Sequence, residues 1–257
     1  MESSPRIDRS DRKKADWPRA FRAIRRMQLD PERTDQVFEL RVALDGGDTE
    51  RRFQQFRALP DGPSLLEKAP VLLDSLSDFE ALRSLEPGSL GRAYLHLMES
   101  NDYSADGLRR AAAEIEEFAT LHPGVERTWF AQRENCVHDL HHTVTGYGQD
   151  AAGETALLAF VDGLYCQASR VRVVRFGMIA SLVSSPLASL HRTLAFCIQA
   201  RRRGAKARIP SDYRWEEKLG DPLTSVQREL RIESLRRVHP RGVLQGDTAS
   251  WDVAPVG

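Results

Sequence analysis

Apolar residues along this chain recur every three or four positions, which is the spacing of a helix face rather than the alternation of a β-strand. Val37, Leu40 and Leu44 show the pattern within one predicted helix, which Pro31 would begin and Gly46 would end. Proline and glycine interrupt the sequence at short intervals, and no run of alternating β-branched residues lies between them. The hydrophobic pattern therefore predicts an all-α fold.

The same periodicity places the helices and bounds the domain. We predict helices near residues 17–28, 31–44, 49–57, 63–69, 78–85, 89–100, 106–120, 124–144, 154–170, 171–184, 187–203 and 222–235. Together they form one multi-helix domain over residues 17–235. The charged segment 1–16 is predicted to be a disordered N-terminal tail. Residues 236–257 are rich in proline and glycine and lack periodicity, so they are predicted to be a C-terminal tail.

Hydropathy and cysteine usage predict a chain that does not cross a membrane and works in a reducing compartment. The longest uncharged hydrophobic stretch, residues 176–190, has 15 residues and contains Pro186, whereas a spanning helix needs about 20. The N-terminus is polar, with no apolar run that could serve as a signal sequence. The three cysteines form no CxxC pair, which favours reduced thiols in the cytosol over a disulfide framework.

Charge is balanced over the whole chain but not along it. The 37 basic and 37 acidic residues cancel, so net charge indicates no partner. Residues 163–211 nevertheless lack Asp and Glu, and their cations are interleaved with apolar residues, as in helices that rest on an anionic membrane surface. A solvated basic face is the alternative, and nucleic acid is not expected because no binding motif is present. The nine cations are Arg170, Arg172, Arg175, Arg192, Arg201, Arg202, Arg203, Lys206 and Arg208.

Potential metal ligands concentrate in one short stretch, HDLHHTVTGYGQDAAGE, which covers residues 138–154. On a helix over 124–144, His138, Asp139 and His142 project within an arc of about 100°. Imidazole nitrogen and carboxylate oxygen together suit zinc, iron or manganese better than calcium. His141 points to another side of the helix and is predicted not to bind the metal.

A fourth ligand is predicted on the following helix. Gly146 and Gly148 would end the first helix, and Gly153 would allow a close approach before a new helix begins at Glu154. A short connection implies an antiparallel neighbour, which could bring Glu154 across from the histidines. Two alternatives stay open at this point: Glu154 as a first-turn acid favoured by the helix dipole, and Asp150 as a turn or capping residue.

The pattern H-D-x-x-H-(x)11-E, formed by His138, Asp139, His142 and Glu154, resembles the signature of the coenzyme Q biosynthesis protein 4 family. The resemblance extends from about residue 17 to 235. Other stretches that agree with the family are TDQVFELRVAL, FQQFRALPDGPSLL, LEPGSLGRAYLHLMESNDYSADGL, GYGQDAAGE and IPSDYRWEEKLGDPLTSVQRELRI.

The resemblance implies a helical protein of ubiquinone biosynthesis that binds a divalent metal, zinc, at these four positions. It implies an apolar lipid-binding cleft and a polyisoprenoid quinone precursor as ligand. It also implies a peripheral place on the inner face of the membrane, beside other ubiquinone-biosynthesis enzymes. Because no transit peptide is evident, a bacterial, cytoplasmic protein is expected. Apolar helix faces would also allow a homodimer.

The activity that the resemblance implies is removal of the ring carboxyl from a polyprenyl-hydroxybenzoate, with or without oxidation at that carbon. The four ligands would then also be the catalytic residues, because the cation would stabilise negative charge on the substrate. Apolar residues after the predicted acid ligand would shelter the prenyl tail; these are Leu157, Leu158, Phe160, Val161 and Leu164.

Two other functions remain open from the sequence. The metal could pin two helices of a lipid-binding scaffold that organises the quinone-biosynthesis enzymes without catalysis. An unrelated metal-dependent hydrolase is a third hypothesis, but the sequence contains neither a nucleophile elbow nor a zinc-protease helix pattern.

Overall fold

A computed structural model describes residues 16–29, 43, 48–104, 124–165, 190–240, 242–245 and 248–250. The chain divides into two compact units, Met1–Arg52 and Phe53–Gly257. In the first unit, helix α1 (Trp17–Leu29) begins after Asp16, whose carboxylate accepts a hydrogen bond from the Arg19 amide at 3.0 Å.

The second unit contains most of the described helices. Helix α2 (Asp48–Arg57) contains the boundary between the units. After it come α3 (Gly62–Lys68), α4 (Leu72–Ser77), α5 (Phe79–Ser84), α6 (Leu90–Ser100), α7 (Val125–Thr145), α8 (Ala151–Tyr165), α9 (Leu190–Lys206), a 3₁₀ turn (Trp215–Glu217), α10 (Leu223–Glu229) and α11 (Leu235–Val238). Strands β1 (Val243–Gln245) and β2 (Thr248–Ser250) pair as a short antiparallel hairpin, with Leu244 opposite Ala249.

The larger hydrophobic core of this unit is built mainly on α6 to α9. Leu140 and Val144 of α7 and Leu157 and Phe160 of α8 are fully buried in it, and Trp215 packs there from the 3₁₀ turn. A smaller cluster is mainly aromatic and consists of Phe53, Phe56, Leu65 and Phe130. The core therefore lies directly behind the helix pair that carries the predicted ligands.

Helices α8 and α9 pack backbone to backbone through two glycines. A Cβ atom added at Gly163 would overlap the carbonyl oxygen of Arg201, and one added at Gly204 would overlap the carbonyl oxygen of Phe160. Each glycine thus lies on the backbone of the opposite helix, where a larger side chain has no room. This contact fixes α8, the helix that carries Glu154.

Most of the predicted helices that lie within the described residues are confirmed. The helices expected at 17–28, 49–57, 63–69, 78–85, 89–100 and 124–144 occur within a few residues of those bounds, and the one expected at 187–203 runs from 190 to 206. The helices predicted at 31–44, 106–120 and 171–184 lie outside the described residues, apart from residue 43. None of the described helices is long and apolar enough to cross a membrane.

Two of the predicted helices differ from the structure in their extent, and one helix was not predicted. The helix expected at 222–235 is two helices, because Arg231 takes a φ of +53° and the Ile232 amide donates back to the Gln227 carbonyl at 2.8 Å. The helix expected from residue 154 begins at Ala151 instead. Helix α4 was not predicted at all, since six residues give too short a periodic pattern.

The segment assigned to a C-terminal tail is ordered where the structure describes it. His239 is only 2% exposed, and its ring lies 4.6 Å from that of Phe196, measured between centroids. The hairpin of β1 and β2 follows a few residues later and was not predicted, because strands of three residues give no readable alternation. His239, which lies in the segment assigned to a tail, therefore packs against the core.

Candidate metal centre

Helix α7 places His138 and His142 one turn apart on the same face. Their Nε2 atoms are 3.3 Å apart, and the rings meet edge to face with centroids separated by 4.8 Å. The helix ends just beyond them, because Gly146 takes a φ of +73° and its amide donates to the His142 carbonyl at 2.8 Å. The predicted helix end is confirmed, and the two rings lie together on one face of α7.

The site turn, residues 146–150, returns the chain toward the histidines. Asp150 caps α8: its Oδ1 accepts from the Ala152 amide at 2.9 Å and from the Gly153 amide at 3.3 Å. A Cβ atom at Gly153 would overlap the Gly148 carbonyl oxygen, so only glycine permits this close approach. The capping alternative for Asp150 is thus the correct one, and it explains why α8 begins before Glu154.

The turn brings Glu154 to both histidines. Its Oε1 lies 3.1 Å from Nε2 of His142, and its Oε2 lies 3.5 Å from Nε2 of His138. One donor atom from each residue falls within 4.8 Å of the others. We call these three residues the His/His/Glu cluster. The side chains of His138 and Glu154 are 41% and 38% exposed, whereas that of His142 is buried, so the cluster opens to solvent on one side.

The backbone of the site turn fixes the ring of His142. Its Nδ1–H donates to the Tyr147 carbonyl oxygen at 3.0 Å, which leaves Nε2 directed at Glu154. A ring held in this way by a second hydrogen bond is typical of metal-binding histidines.

Charge coupling within the cluster shifts two pKa values in opposite directions. Burial raises the pKa of the Glu154 carboxyl, but hydrogen bonds to His138 and His142 lower it more, to about 2. Burial lowers the pKa of His142, yet Glu154 outweighs this effect and the net pKa is raised. Without a metal the pair is therefore a carboxylate beside a ring that readily takes a proton. A cation would displace that proton, so its affinity should fall as pH falls.

The structure does not bring Asp139 into the cluster. Burial raises the pKa of its carboxyl, only partly opposed by the charges of His138 and His142. Three of the four predicted ligands thus come together, and the role of Asp139 as a fourth ligand stays a prediction. His141 faces Trp215 instead, with ring centroids 6.2 Å apart, and burial lowers its pKa to about 3.

Residues that no local pattern indicated support the site turn. Arg203 is 2% exposed; its Nη1 donates to the Thr145 carbonyl at 2.7 Å, and its guanidinium lies 5.2 Å from the centroid of the Tyr147 ring. Its inclusion among the surface cations was wrong, because it serves as a buried helix cap. Tyr147 and Arg203 are 56 positions apart, so sequence periodicity carried no signal of their contact.

The donor set fits a divalent transition metal. Two imidazole nitrogens and one carboxylate lie within reach of one ion, the His142 ring is held from behind, and the side near His138 is open. Three protein ligands with an open position are typical of a catalytic zinc site, and the same set also suits iron. The geometry therefore agrees with the predicted cofactor class.

Fold and site together define a helical protein with a two-histidine, one-carboxylate centre at the junction of two consecutive helices. The chain belongs to the family described as coenzyme Q (ubiquinone) biosynthesis protein Coq4, whose model matches residues 20–236. The resemblance inferred from the sequence is thereby confirmed.

Curated relatives agree with this assignment. A mitochondrial ubiquinone biosynthesis protein COQ4 homolog of Rattus norvegicus is 28% identical over 179 residues, which is 69% of this chain and 63% of the rat protein. The homolog of Drosophila ananassae is 29% identical over 216 residues, or 82% of this chain and 75% of the fly protein. The chain thus spans less than two thirds of the length of the rat relative.

A solved structure supports the fold. The crystal structure of a protein from Nostoc punctiforme superposes with a TM-score of 0.60, covering 86% of this chain and 100% of the other. Since the two sequences are 18% identical, the similarity supports the fold alone.

Proposed function

We propose that this ubiquinone biosynthesis protein removes the ring carboxyl of a polyprenylated hydroxybenzoate at a divalent metal, most simply zinc, held by His138, His142 and Glu154. The observation that carries the proposal is the His/His/Glu cluster, which is assembled by a glycine turn, held from behind at His142 and open on one side. When bound, the metal supplies a Lewis acid that stabilises negative charge on the substrate.

In its simplest balanced form, the reaction breaks the bond between ring and carboxylate. Carbon dioxide leaves, the electron pair of the broken bond stays on the ring, and a proton takes the vacated position. The oxidative form also requires dioxygen and a reductant. Of the chain's own groups, Asp139, whose pKa is raised by desolvation, is the proton donor nearest in sequence to the ligands.

A strip along α8 supports a place for the prenyl tail. Leu158, Val161 and Tyr165 follow Glu154 at intervals of four, three and four residues, so they lie on the same face of α8, and each is partly exposed. Leu157 and Phe160, which were also predicted to shelter the tail, are instead fully buried in the core. We therefore assign the apolar cleft to the strip that begins at the cluster.

The test is a metal analysis combined with product analysis on purified protein. His142→Ala should lose bound zinc and release of carbon dioxide from a carboxylated prenylphenol, both by at least about tenfold. His96→Ala replaces an exposed histidine on α6 and serves as the matched control. Assays with and without dioxygen and reductant separate the two forms of the reaction. Full turnover by metal-free His142→Ala would contradict the proposal.

The competing proposal is a scaffold in which the metal only joins α7 and α8. Support for it comes from the cluster itself, since its ligands lie on both sides of one tight turn. Metal-loaded wild-type protein that binds the prenylphenol but releases no carbon dioxide under any of these conditions would favour the scaffold. Both proposals include contact with other quinone-biosynthesis enzymes, a homodimer, and a cytoplasmic location on the inner face of the membrane.

A further inference from the structure

A chain of buried and partly buried hydrogen bonds leads from the C-terminal segment to the back of the metal centre. His239 Nδ1–H donates to Gln199 Oε1 at 2.8 Å, which leaves Nε2 to accept from the Tyr147 hydroxyl at 2.9 Å. The carbonyl of the same tyrosine accepts from His142 Nδ1. Tyr147 therefore has one end tied to the C-terminal segment and the other to a ligand of the cluster.

Packing leaves the Tyr147 ring little freedom to move. Only 1% of the residue is exposed, and its ring meets that of Phe196 edge to face at 5.7 Å and that of Phe160 at 6.4 Å. Arg203 lies over the ring and holds the Thr145 carbonyl, two residues earlier. Both sides of Gly146 are thus anchored, and the backbone position of the site turn is determined by side chains outside it.

An imidazole at position 239 does more than fill space. A buried apolar side chain of the same size would pack against Phe196 but would lose the two hydrogen bonds that the ring makes, one with the Tyr147 hydroxyl and one with the Gln199 amide oxygen. Burial, together with the positive charge of Arg203, lowers the pKa of His239 to about 4, so the ring is neutral at pH 7. In that form it can accept from one neighbour while donating to the other.

We propose that His239, held by Gln199, is a positioning residue for the metal centre. It holds Tyr147 so that the tyrosine carbonyl orients the ring of His142 and keeps Nε2 directed at Glu154. The metal-binding part of this inference rests on the proposed function. The residue lies beyond position 236, where the family match ends, so the inference concerns this chain's own C-terminal segment.

The experiment compares three variants by two readouts. Tyr147→Phe removes only the hydroxyl, and His239→Ala removes the ring. Leu82→Ala creates a cavity in the same core cluster and is the control for a general loss of stability. The first readout is the Nδ1–H signal of His142 in NMR spectra of metal-free, ¹⁵N-histidine-labelled protein. The second is zinc affinity, measured in competition with a chelator.

We expect the His142 signal to broaden or shift in Tyr147→Phe and His239→Ala. Zinc affinity should fall by about tenfold, which is the smallest loss typical when a group that supports a metal ligand is removed. Leu82→Ala should keep both. Wild-type behaviour of Tyr147→Phe and His239→Ala in both readouts would overturn the inference, and so would an equal loss in Leu82→Ala. If wild-type protein bound no zinc, the proposed function would fail, whereas the NMR readout would still test the positioning.

Discussion

His141 and His142 are neighbours in the sequence, yet their environments push their pKa values apart. Burial against Trp215 lowers the pKa of His141 to about 3, because no acidic group compensates for the lost hydration. His142 is as deeply buried, but the carboxylate of Glu154 raises its pKa on balance. A step of one residue turns a helical side chain by about 100°, and that turn separates a core histidine from a member of the His/His/Glu cluster.

The protein should lose stability as pH falls below about 6.5, and His141 should account for part of the loss. An unfolded histidine binds a proton near pH 6.5, whereas folded His141 does so only near pH 3. Between these values the unfolded state binds more protons, so the free energy of unfolding decreases as the pH decreases. For this residue the decrease from pH 7 to pH 5 is about 2 kcal/mol.

The measurement is urea denaturation at both pH values, with a chelator present. His141→Asn should reduce the difference between pH 7 and pH 5 by about 2 kcal/mol. Because His142 titrates with the opposite sign, only the comparison of the variant with the wild type isolates His141. Equal pH dependence in both proteins would show that His141 is not held neutral.

The packing of helices α8 and α9 depends on two positions where no side chain fits. Gly163→Ala and Gly204→Ala should each force the helices apart, at a cost of about 1–3 kcal/mol and a fall in Tm of about 5 °C. Gly220→Ala is the matched control, because no atom lies within 4 Å of its added Cβ. Thermal unfolding followed by circular dichroism would distinguish them. Unchanged Tm values for both core variants would mean that the helices are not in backbone contact.

Sequence patterns predicted those helices and turns that are determined by interactions between residues close together in the chain. The i, i+4 spacing placed His138 and His142 on one face, and the glycines of the site turn indicated the return that brings Glu154 back. The break between α10 and α11 was not predictable, because Arg231 occupies a left-handed position where glycine would be expected.

The contacts that hold the site turn in place could not be predicted from local sequence patterns for a different reason. Tyr147 bonds to His239 across 92 positions, and Arg203 reaches the end of α7 across 58. Contacts of this kind depend on how helices pack, not on the period within any one of them. For the same reason the composition of the acid-free segment could not distinguish the buried Arg203 from exposed cations such as Arg202.

Because the basic and acidic residues of the full chain balance, any attraction to a membrane must come from a local patch. Three cations in the described part of the acid-free segment are less available to a membrane than its composition suggests: Arg203 is buried, Arg201 pairs with Asp162, and Lys206 pairs with Glu233. On α9, Leu194 and Ile198 lie one turn apart and are 47% and 43% exposed. Arg202 is exposed one turn further on. We call Leu194, Ile198 and Arg202 the α9 patch.

If the α9 patch contacts lipid, binding should depend on both apolar burial and charge. The double variant Leu194→Asp/Ile198→Asp should reduce co-sedimentation with anionic vesicles by at least about tenfold, because two side chains lose apolar contacts worth about 1.5 kcal/mol or more each. Arg202→Gln should weaken binding less, by about 1 kcal/mol, and binding by the wild type should fall with added salt. Val125→Asp, at an apolar residue of α7 that is 88% exposed, is the matched control and should bind as the wild type does. Equal loss in Val125→Asp, or no loss in the double variant, would place membrane contact elsewhere on the molecule.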